Sequence, residues 1–226
     1  MKIAVLGTGT VGRTVAAKLS DLGHDVVVGT RDPQATRARS EPDAMGNPPF
    51  PVWHTEHPAV RLASFAEAAG QADLVINATG GTGSLDALTQ AGAANLTGKI
   101  LLDISNPLDF SRGFPPSLFV KDTDSLAEQI QRAFPDARVV KSLNTMTAAL
   151  MADPARVAGG DHSTFVSGND EDAKREVVAL LGSLGHTDVI DLGDLSTARG
   201  AEMLMPVWLR LMGALGTPFF NFKIVR

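Results

Sequence analysis

The first residues with recognisable chemistry are the three glycines of the run from Gly7 to Gly12, which matches G-x-G-x-x-G. The first glycine of this pattern permits a tight turn, the second lets a pyrophosphate approach the backbone, and the third allows close helix–sheet packing. N–H groups at the start of the following helix then face the phosphates, since the helix dipole favours negative charge there. We predict a dinucleotide pyrophosphate site made of Gly7, Thr8, Gly9, Thr10, Val11 and Gly12.

The segments on either side of these glycines make the match specific. Residues 2–6 form a short apolar run typical of a buried parallel strand. Apolar residues then recur at helical spacing from Val15 to Leu22, and residues 25–29 form a second apolar run. The order strand, glycine turn, helix and strand is the context that a dinucleotide-binding motif requires.

The end of the second predicted strand indicates which dinucleotide is bound. An NAD site commonly has an acidic residue there, which accepts a hydrogen bond from the ribose 2′-OH. This chain has Thr30 and Arg31, while Asp32 reads as the N-cap of the next helix. A guanidinium and a hydroxyl can both donate to a 2′-phosphate, so we predict NADP(H) rather than NAD(H). Arg37 and Arg39 are predicted to be solvated charges.

Four further apolar runs, at residues 60–62, 73–78, 99–104 and 138–141, alternate with helical patterns. This alternation predicts an α/β fold of the Rossmann type with a doubly wound parallel sheet. Because ligands bind beyond the carboxyl ends of such strands, the loops after the last three runs should line the site. The glycines after Thr79 leave room for a nicotinamide ring, and Asn106 can hydrogen-bond to that ring or to a second substrate.

Residues 40–59 carry five prolines, which predict an irregular loop that could act as a lid or binding loop. The loop contains Trp53, and its packing on its own domain is the plainer expectation. His54 and His57 suggest no metal site, because no third ligand accompanies them.

Residues 147–226 are predicted to form a small α/β C-terminal part, following a dinucleotide-binding domain at residues 1–146. This part has strands near 164–168 and 189–192, a helix over 171–184 and one long apolar helix over 196–215. That helix and the aromatic tail that follows suggest a shared interface, and a homodimer is the first expectation. Burial of the helix within one subunit is the alternative.

Composition excludes several classes of function. The formal net charge of −5 and a pI near 5.5 are unlike those of a nucleic-acid-binding protein. The chain lacks cysteine, so it has no disulfides, thiolate metal sites or cysteine nucleophiles. The first strand begins at residue 2, which leaves no room for a signal peptide, and Pro206 and Arg210 interrupt the most apolar stretch. We expect a cytoplasmic protein without a membrane span.

No lysine or histidine is placed beside a carboxylate in a way that indicates a general base. Lys141 lies at a strand end and is expected to form an ion pair or extend to solvent rather than to donate a proton. Hydride transfer between two flat redox rings needs stacking and a short transfer distance, and it suits a site of glycine, threonine and asparagine. We therefore predict no catalytic side chain.

Several segments resemble the F420-dependent NADP reductase family, which includes the NADPH domain of the STEAP metalloreductases. They are K-I-A-V-L-G-T-G-T-V-G and L-G-H-D-V-V-V-G-T-R-D within residues 2–32, L-N-T at 143–145, F-V-S-G-N-D at 165–170, and the stretch from 195 to 206. The resemblance covers nearly the whole chain. It implies direct hydride transfer between NADP(H) and the deazaflavin coenzyme F420 in a dimeric enzyme.

The resemblance also assigns roles to individual positions. Thr8, Thr10 and Val11 would hold the pyrophosphate, and Thr30 and Arg31 the 2′-phosphate. The nicotinamide and its ribose would contact Ala78, Thr79 and Gly80, and the facing deazaflavin or flavin would contact Asn106, Pro107, Asn144, Thr145 and Met146.

The chain departs from the family pattern around the second substrate. It has glycines at 80 and 81 where archaeal members have a bulky proline–aromatic turn, and Asn144 where they have histidine. The second substrate therefore stays open among F420, FMN and FAD. An NADPH-dependent flavin or ferric reductase, a dehydrogenase of small hydroxy or imino acids and a non-enzymatic NADPH sensor are the alternatives.

Overall fold

A computed structural model describes residues 1–43 and 46–226. Eight strands form one sheet in the order β10-β9-β8-β5-β4-β1-β2-β3, and two short strands form a separate hairpin. The sheet contains β1 Lys2–Leu6, β2 Asp25–Thr30, β3 Arg61–Ser64, β4 Leu74–Asn77, β5 Ile100–Asp103, β8 Arg138–Ser142, β9 Ser163–Gly168 and β10 Asp188–Asp191; the hairpin contains β6 Leu108–Asp109 and β7 Ser117–Leu118.

Helices cover both faces of the sheet. They are α1 Thr10–Asp21, α2 Pro33–Arg37, α3 Phe50–Glu56, α4 Phe65–Gln71, α5 Gly81–Ala91, α6 Ala93–Leu96, α7 Leu126–Ala133, α8 Ala148–Ala152, α9 Glu171–Leu184, α10 Ala198–Met203 and α11 Met205–Leu215, with short 3-10 turns at Pro154–Arg156, Ala158–Gly160 and Leu195–Thr197. One apolar core lies under α1, α8 and α9 and a second under α4, α5 and α7. Among the described residues, no helix combines the length and apolar character needed to cross a bilayer.

The predicted Rossmann-type fold is confirmed, with one departure in strand direction. Within the eight-stranded sheet, all neighbouring strands are parallel except β8 and β9, which are antiparallel and pair Val140 with Gly168 and Ser142 with Val166. The sequence predicts two parts of the chain, residues 1–146 and 147–226. Strands β9 and β10 belong to the second part and extend the same sheet. The division at residue 146 stays a prediction.

The segment at residues 40–59 is more regular than predicted, because α3 forms within it. Pro49 is the N-cap of α3 and Pro51 lies in its first turn, where a missing N–H costs no helical hydrogen bond. The prediction of a wholly irregular segment is therefore wrong. Phe50 is buried, and Trp53 packs against the core. The expectation that Trp53 packs on its own domain is therefore confirmed. Ala44 and Met45, which belong to this predicted loop, lie outside the described residues.

The prediction of a single long helix over residues 196–215 is also wrong. The structure has a 3-10 turn, then α10, and then α11, with a break at Leu204. Pro206 explains the break, because its ring has no N–H to donate and clashes with a carbonyl one turn earlier. The break lets α11 turn toward the carboxyl edge of the sheet, where Met205, Trp208 and Leu209 line a cavity.

Candidate functional site

The glycine turn between β1 and α1 has the geometry expected of a pyrophosphate site. Gly7 has φ +125°, and a Cβ there would lie 2.6 Å from the Ala78 carbonyl oxygen. A Cβ at Gly12 would collide with the Gly7 carbonyl oxygen, whereas one at Gly9 would meet no atom within 4 Å. Gly7 and Gly12 therefore permit close backbone packing, and the open space beside Gly9 suits a ligand.

Two helices begin at this edge with free N-terminal ends. The N-caps of α1 and α5 are Gly9 and Gly80, and within the described part of the chain neither N-cap has a side chain that accepts a hydrogen bond from the first N–H groups of the helix. Elsewhere, Ser64 and Ser125 cap α4 and α7 with their hydroxyl groups. Backbone N–H groups without a protein partner at a helix start are donors for a phosphate or another anion.

The predicted 2′-phosphate corner lies at the end of β2. Thr30 is buried, and its hydroxyl is 2.9 Å from the hydroxyl of Thr36 on α2. The guanidinium of Arg31 is 72% exposed and 3.3 Å from the carboxylate of Asp86. The exposed cation at this corner is therefore Arg31, whereas the hydroxyl of Thr30 is already used within the protein.

Arg39 is a residue whose position the sequence did not reveal. Its guanidinium donates to the hydroxyl of Thr8 at 3.0 Å, so it reaches the glycine turn from the far side of α2. Arg37 donates instead to the Leu62 carbonyl at 3.3 Å. Since 31 residues separate Arg39 from Thr8, no local pattern could have indicated this contact. Arg31 thus lies at the end of β2, and Arg39 adds a second guanidinium at the glycine turn.

A cavity of about 380 Å³, which we call the ring cavity, lies at the carboxyl ends of β1, β4, β5 and β8. Among the predicted residues, its lining contains Thr10, Val11, Ala78, Thr79, Gly80, Asn106, Asn144 and Met146. Pro107 and Thr145 are buried beside it and do not line it. Gly81, Thr82, Ser105 and Leu108 also line it and belong to loops that the sequence places at this edge. The lining residues that were not predicted are Ile104, Phe110, Thr147, Ala148, Met151, Met205, Trp208 and Leu209.

None of the residues that line the ring cavity is an Asp, Glu, His, Lys or Arg. Its polar groups are hydroxyls, amides and backbone atoms, and its remaining wall is aliphatic, aromatic or thioether. The volume is within the usual range of roughly 300–1,000 Å³ for small-molecule pockets. Such a cavity can stack a flat ring and hydrogen-bond to its edge, and it offers no titratable side chain for proton transfer.

Two asparagines join the loops that follow β5 and β8. Asn106 donates to the Asn144 carbonyl at 2.8 Å, and the Asn144 amide donates to the Asn106 side-chain oxygen at 2.9 Å. Asn144 also donates to the Ala201 carbonyl on α10 at 3.0 Å. These bonds hold the far wall of the ring cavity against the sheet, so both asparagines position the site as well as line it.

A buried polar network lies beneath the cavity. The Thr79 hydroxyl donates to the Asn77 side-chain oxygen at 2.6 Å, and the Asn77 amide donates to Asp103 at 2.8 Å. The Ser105 hydroxyl donates to the same carboxylate at 2.7 Å. Two cavity-lining residues, Thr79 and Ser105, are therefore fixed by groups that solvent does not reach.

Lys141 lies at the centre of this network and is fully buried. Its ammonium is 2.8 Å from Asp103, 2.9 Å from Glu202 and 2.6 Å from the Ser105 carbonyl. Burial on its own would lower the pKa of Lys141, but the two carboxylates outweigh that effect and the pKa is raised. The expectation of an ion pair is confirmed, and the expectation that the side chain extends to solvent is wrong.

The segment that precedes α3 docks on the start of α1. Arg13 is buried; its guanidinium is 2.9 Å from the Asp43 carboxylate and donates to the Pro48 carbonyl at 2.6 Å. The Asn47 amide donates to the Thr10 hydroxyl at 2.8 Å. The segment therefore contacts one of the threonines that we predict to lie at the pyrophosphate.

The two histidines of this segment bond to backbone. His54 Nε2 is 2.7 Å from the Val60 carbonyl, and His57 Nδ1 is 2.8 Å from the Trp53 carbonyl. The His57 ring also stacks on Trp53 with centroids 4.7 Å apart. Across residues 1–43 and 46–226, no group of three or more His, Cys, Asp or Glu is placed to hold a metal ion.

Fold and site together define a dinucleotide-dependent oxidoreductase of the Rossmann class, and comparison with known proteins gives the family. Residues 2–107 match the family model described as NADP oxidoreductase, coenzyme F420-dependent. A crystal structure from Arthrobacter sp. FB24, provisionally assigned as an F420-dependent NADP reductase, is 68% identical over all of both chains, with a TM-score of 0.96. The chain belongs to the F420-dependent NADP reductase family and is an NADP-dependent oxidoreductase.

Two curated relatives show how far the similarity extends. The F420-dependent NADP reductase of Methanocaldococcus jannaschii is 28% identical, over 93% of this chain and 92% of the relative. Metalloreductase STEAP3 of Rattus norvegicus is 30% identical over 100% of this chain, which spans only 42% of that protein. The predicted resemblance to both groups is confirmed.

Proposed function

We propose that this protein transfers a hydride directly between NADP(H) and coenzyme F420 within the ring cavity. The observation that carries this proposal is the absence of any titratable side chain among the described lining residues of that cavity. In the reaction F420H2 + NADP⁺ → F420 + NADPH + H⁺, the hydride passes from the reduced deazaflavin to the nicotinamide and the proton goes to water. The protein then has to align two rings and exclude solvent, and it needs no general acid on the reacting atoms.

The NADP(H) molecule would be held at both ends by residues of the first half of the chain. The start of α1 offers backbone N–H groups to the pyrophosphate beside the open space at Gly9. Arg31 and Arg39 supply positive charge for the 2′-phosphate, and Asp86 would give up its contact with Arg31 when the phosphate binds. The nicotinamide ring would lie against Ala78, Thr79 and Gly80, at the start of α5.

The deazaflavin would lie on the opposite side of the ring cavity. Asn106 and Asn144 border that side, and Met146, Trp208 and Leu209 supply an apolar wall. Gly80 leaves the nicotinamide side of the cavity wide, because a Cβ there would meet no atom within 4 Å. Gly81 is required for packing instead, because a Cβ there would collide with the Asn106 carbonyl oxygen. The Methanocaldococcus jannaschii relative and the Arthrobacter structure are both named for F420, which favours F420 over FMN and FAD as the second substrate.

The proposal is tested with NADPH and oxidised F420 in a spectrophotometer. We expect the deazaflavin absorbance to disappear as NADPH is consumed, and the reverse with reduced F420 and NADP⁺. NADPH deuterated at the transferred position should deliver its deuterium to the deazaflavin in ordinary water, since direct transfer does not exchange with solvent. Matched reactions with FMN, FAD and ferric chelates serve as controls. Turnover with a flavin or ferric acceptor and none with F420 would overturn the proposal.

We further propose that the protein is a homodimer that buries α11 and the C-terminal tail. Val207 and Leu215 on α11 are 45% and 56% exposed, and Phe219 of the tail is 43% exposed. The other face of α11 packs inward through Met205, Trp208 and Leu209. Exposed apolar residues grouped on one helix and its tail fit a self-complementary contact with a second copy.

A further inference from the structure

The buried network beneath the ring cavity contains three charges, which we call the charge cluster: Asp103, Lys141 and Glu202. All three side chains are at most 2% exposed. The ammonium has three acceptors, namely the two carboxylates and the Ser105 carbonyl. Two carboxylates and one ammonium leave a formal charge of −1 inside the protein. The proposed transfer of a hydride uses none of these groups.

Each carboxylate of the charge cluster accepts further hydrogen bonds from the protein. Asp103 accepts from the Asn77 amide and from both the backbone N–H and the hydroxyl of Ser105. Glu202 accepts from the backbone N–H groups of Leu126 and Ala127 at 2.8 and 3.1 Å, which are the first N–H groups of α7. These hydrogen bonds hold both carboxylates in place beside the Lys141 ammonium.

The charge cluster is separated from the ring cavity by a single layer of protein. Ser105 lines the cavity and bonds to both Asp103 and Lys141. Thr79 also lines the cavity and is joined to Asp103 through Asn77. A nicotinamide ring against Thr79 would therefore lie above a buried negative charge with little water between them.

We propose that the charge cluster favours the oxidised, positively charged nicotinamide of NADP⁺ over the neutral ring of NADPH. The inference rests on the ring placement given under the proposed function. The two forms carry the same phosphates and differ in the charge of the ring, so their affinity ratio isolates this effect. Two unit charges about 10 Å apart, at an effective dielectric constant of roughly 20–40, change that ratio by about 4- to 15-fold. The positive N-terminal end of α7, which donates to Glu202, offsets part of this change in the affinity ratio.

The inference has a consequence for the reaction. A site that favours NADP⁺ makes bound NADPH a stronger hydride donor, and a tenfold ratio corresponds to about 30 mV for a two-electron couple. The charge cluster would thus bias the bound cofactor toward reduction of the deazaflavin.

The test compares dissociation constants for NADP⁺ and NADPH by calorimetry in wild-type protein, Glu202→Gln and Asp103→Asn. Each variant removes one buried negative charge, and we expect each to shift the affinity ratio toward NADPH by roughly 3- to 10-fold. Lys141→Gln removes the ammonium, so the formal charge of the cluster becomes −2 and the affinity ratio should shift toward NADP⁺. A purely structural effect would weaken both forms by the same factor. Circular dichroism establishes which variants fold.

Glu176→Gln is the matched control, because it removes an exposed carboxylate on α9 and should leave the ratio unchanged. An unchanged ratio in folded Glu202→Gln or Asp103→Asn overturns the inference. If no variant of the charge cluster folds, the wild-type ratio decides, and tighter binding of NADPH than of NADP⁺ overturns it. Failure of wild-type protein to bind either form would instead overturn the proposed binding site.

Discussion

We propose that two guanidinium groups, those of Arg31 and Arg39, distinguish NADP(H) from NAD(H). Arg31 follows β2 directly and is largely exposed, while Arg39 approaches from beyond α2 and contacts Thr8. A 2′-phosphate between them would receive charge-assisted hydrogen bonds from both sides. An NAD molecule offers only a hydroxyl there, so neither arginine would contribute comparably to its binding.

We expect Arg31→Glu to weaken NADPH binding by about 2–5 kcal/mol, because it removes a cation and adds repulsion toward the phosphate. Arg39→Ala removes one charge-assisted contact and should cost about 1–2 kcal/mol. Affinity for NADH should barely change in either variant. Fluorescence titration with NADPH and NADH measures both effects. Arg61→Ala is the control, since Arg61 pairs with Asp25 at the opposite edge of the sheet. Equal losses for NADPH and NADH would contradict the assignment.

The glycines of the turn are expected to separate packing from ligand binding. Gly12→Ala puts a methyl group against the Gly7 carbonyl oxygen and should lower the free energy of unfolding by about 1–3 kcal/mol. Gly9→Ala meets no atom within 4 Å, so stability should stay within about 0.5 kcal/mol while NADPH affinity falls. Urea denaturation and NADPH titration measure the two effects. Normal NADPH binding by Gly9→Ala would argue against a pyrophosphate at this backbone.

At the scale of elements, the site depends on pieces of chain that dock across the ends of the strands. The segment from Asp43 to α3 attaches to α1 through Arg13 and Asn47. On the other side, Asn144 and Glu202 fasten α10 to the sheet. Both attachments use hydrogen-bonded polar groups that are largely withdrawn from water, which makes each sensitive to a single substitution.

Arg13→Met should lower the free energy of unfolding by about 2 kcal/mol, because a buried guanidinium with two hydrogen bonds is lost. NADPH affinity should fall as well, since the segment that Arg13 holds contacts Thr10. Urea denaturation and calorimetric titration measure the two effects. Arg175→Met on α9 is the matched control, because Arg175 is 71% exposed and its ion pair with Asp172 is solvated. A similar loss of stability in both variants would count against a special role for Arg13.

At the scale of the whole molecule, a buried histidine that precedes β10 joins β9 to α8. His186 is 5% exposed; its Nδ1 is 2.9 Å from the Thr164 hydroxyl and its Nε2 is 3.1 Å from the Met151 carbonyl. Burial lowers the pKa of His186, and the neighbouring His162 lowers it further, against the opposing effect of the Met151 carbonyl. The neutral ring therefore fits the folded state and the charged ring does not.

This pKa shift predicts how stability depends on pH. Because the folded pKa is below the unfolded value of about 6.5, the unfolded chain binds more protons as the pH falls through that value. Above about pH 7.5 we expect His186 to add no pH dependence to the free energy of unfolding. Below about pH 6.5 we expect the free energy of unfolding to decrease as the pH drops. His186→Gln, which stays neutral, should lose less stability than wild type as the pH drops below about 6.5. Parallel slopes in urea titrations would contradict the prediction.

The exposed face of α11 leads to a prediction about assembly. Val207→Glu and Leu215→Glu place charges on the proposed dimer contact and should convert a dimer into a monomer in analytical ultracentrifugation. Val178→Glu is the control, because Val178 is 37% exposed on α9, away from α11. A wild-type chain that sediments as a monomer at high micromolar concentration would contradict the proposal.

The sequence alone determined the elements whose signals are local. The glycine turn and the strands on either side of it were predicted from a few adjacent residues. The prediction that Thr30 and Arg31 form the 2′-phosphate corner also rests on adjacent residues alone. Prolines misled the prediction twice, because Pro49 and Pro51 begin α3, whereas Pro206 divides a helix.

Only the tertiary structure decided which distant residues meet. Arg39 reaches Thr8, Lys141 lies between Asp103 and Glu202, and Trp208 lines the ring cavity because α11 turns back across the sheet. These contacts join residues 31 to more than 60 positions apart. Their geometry depends on packing of the whole sheet and its helices, which local propensity does not encode.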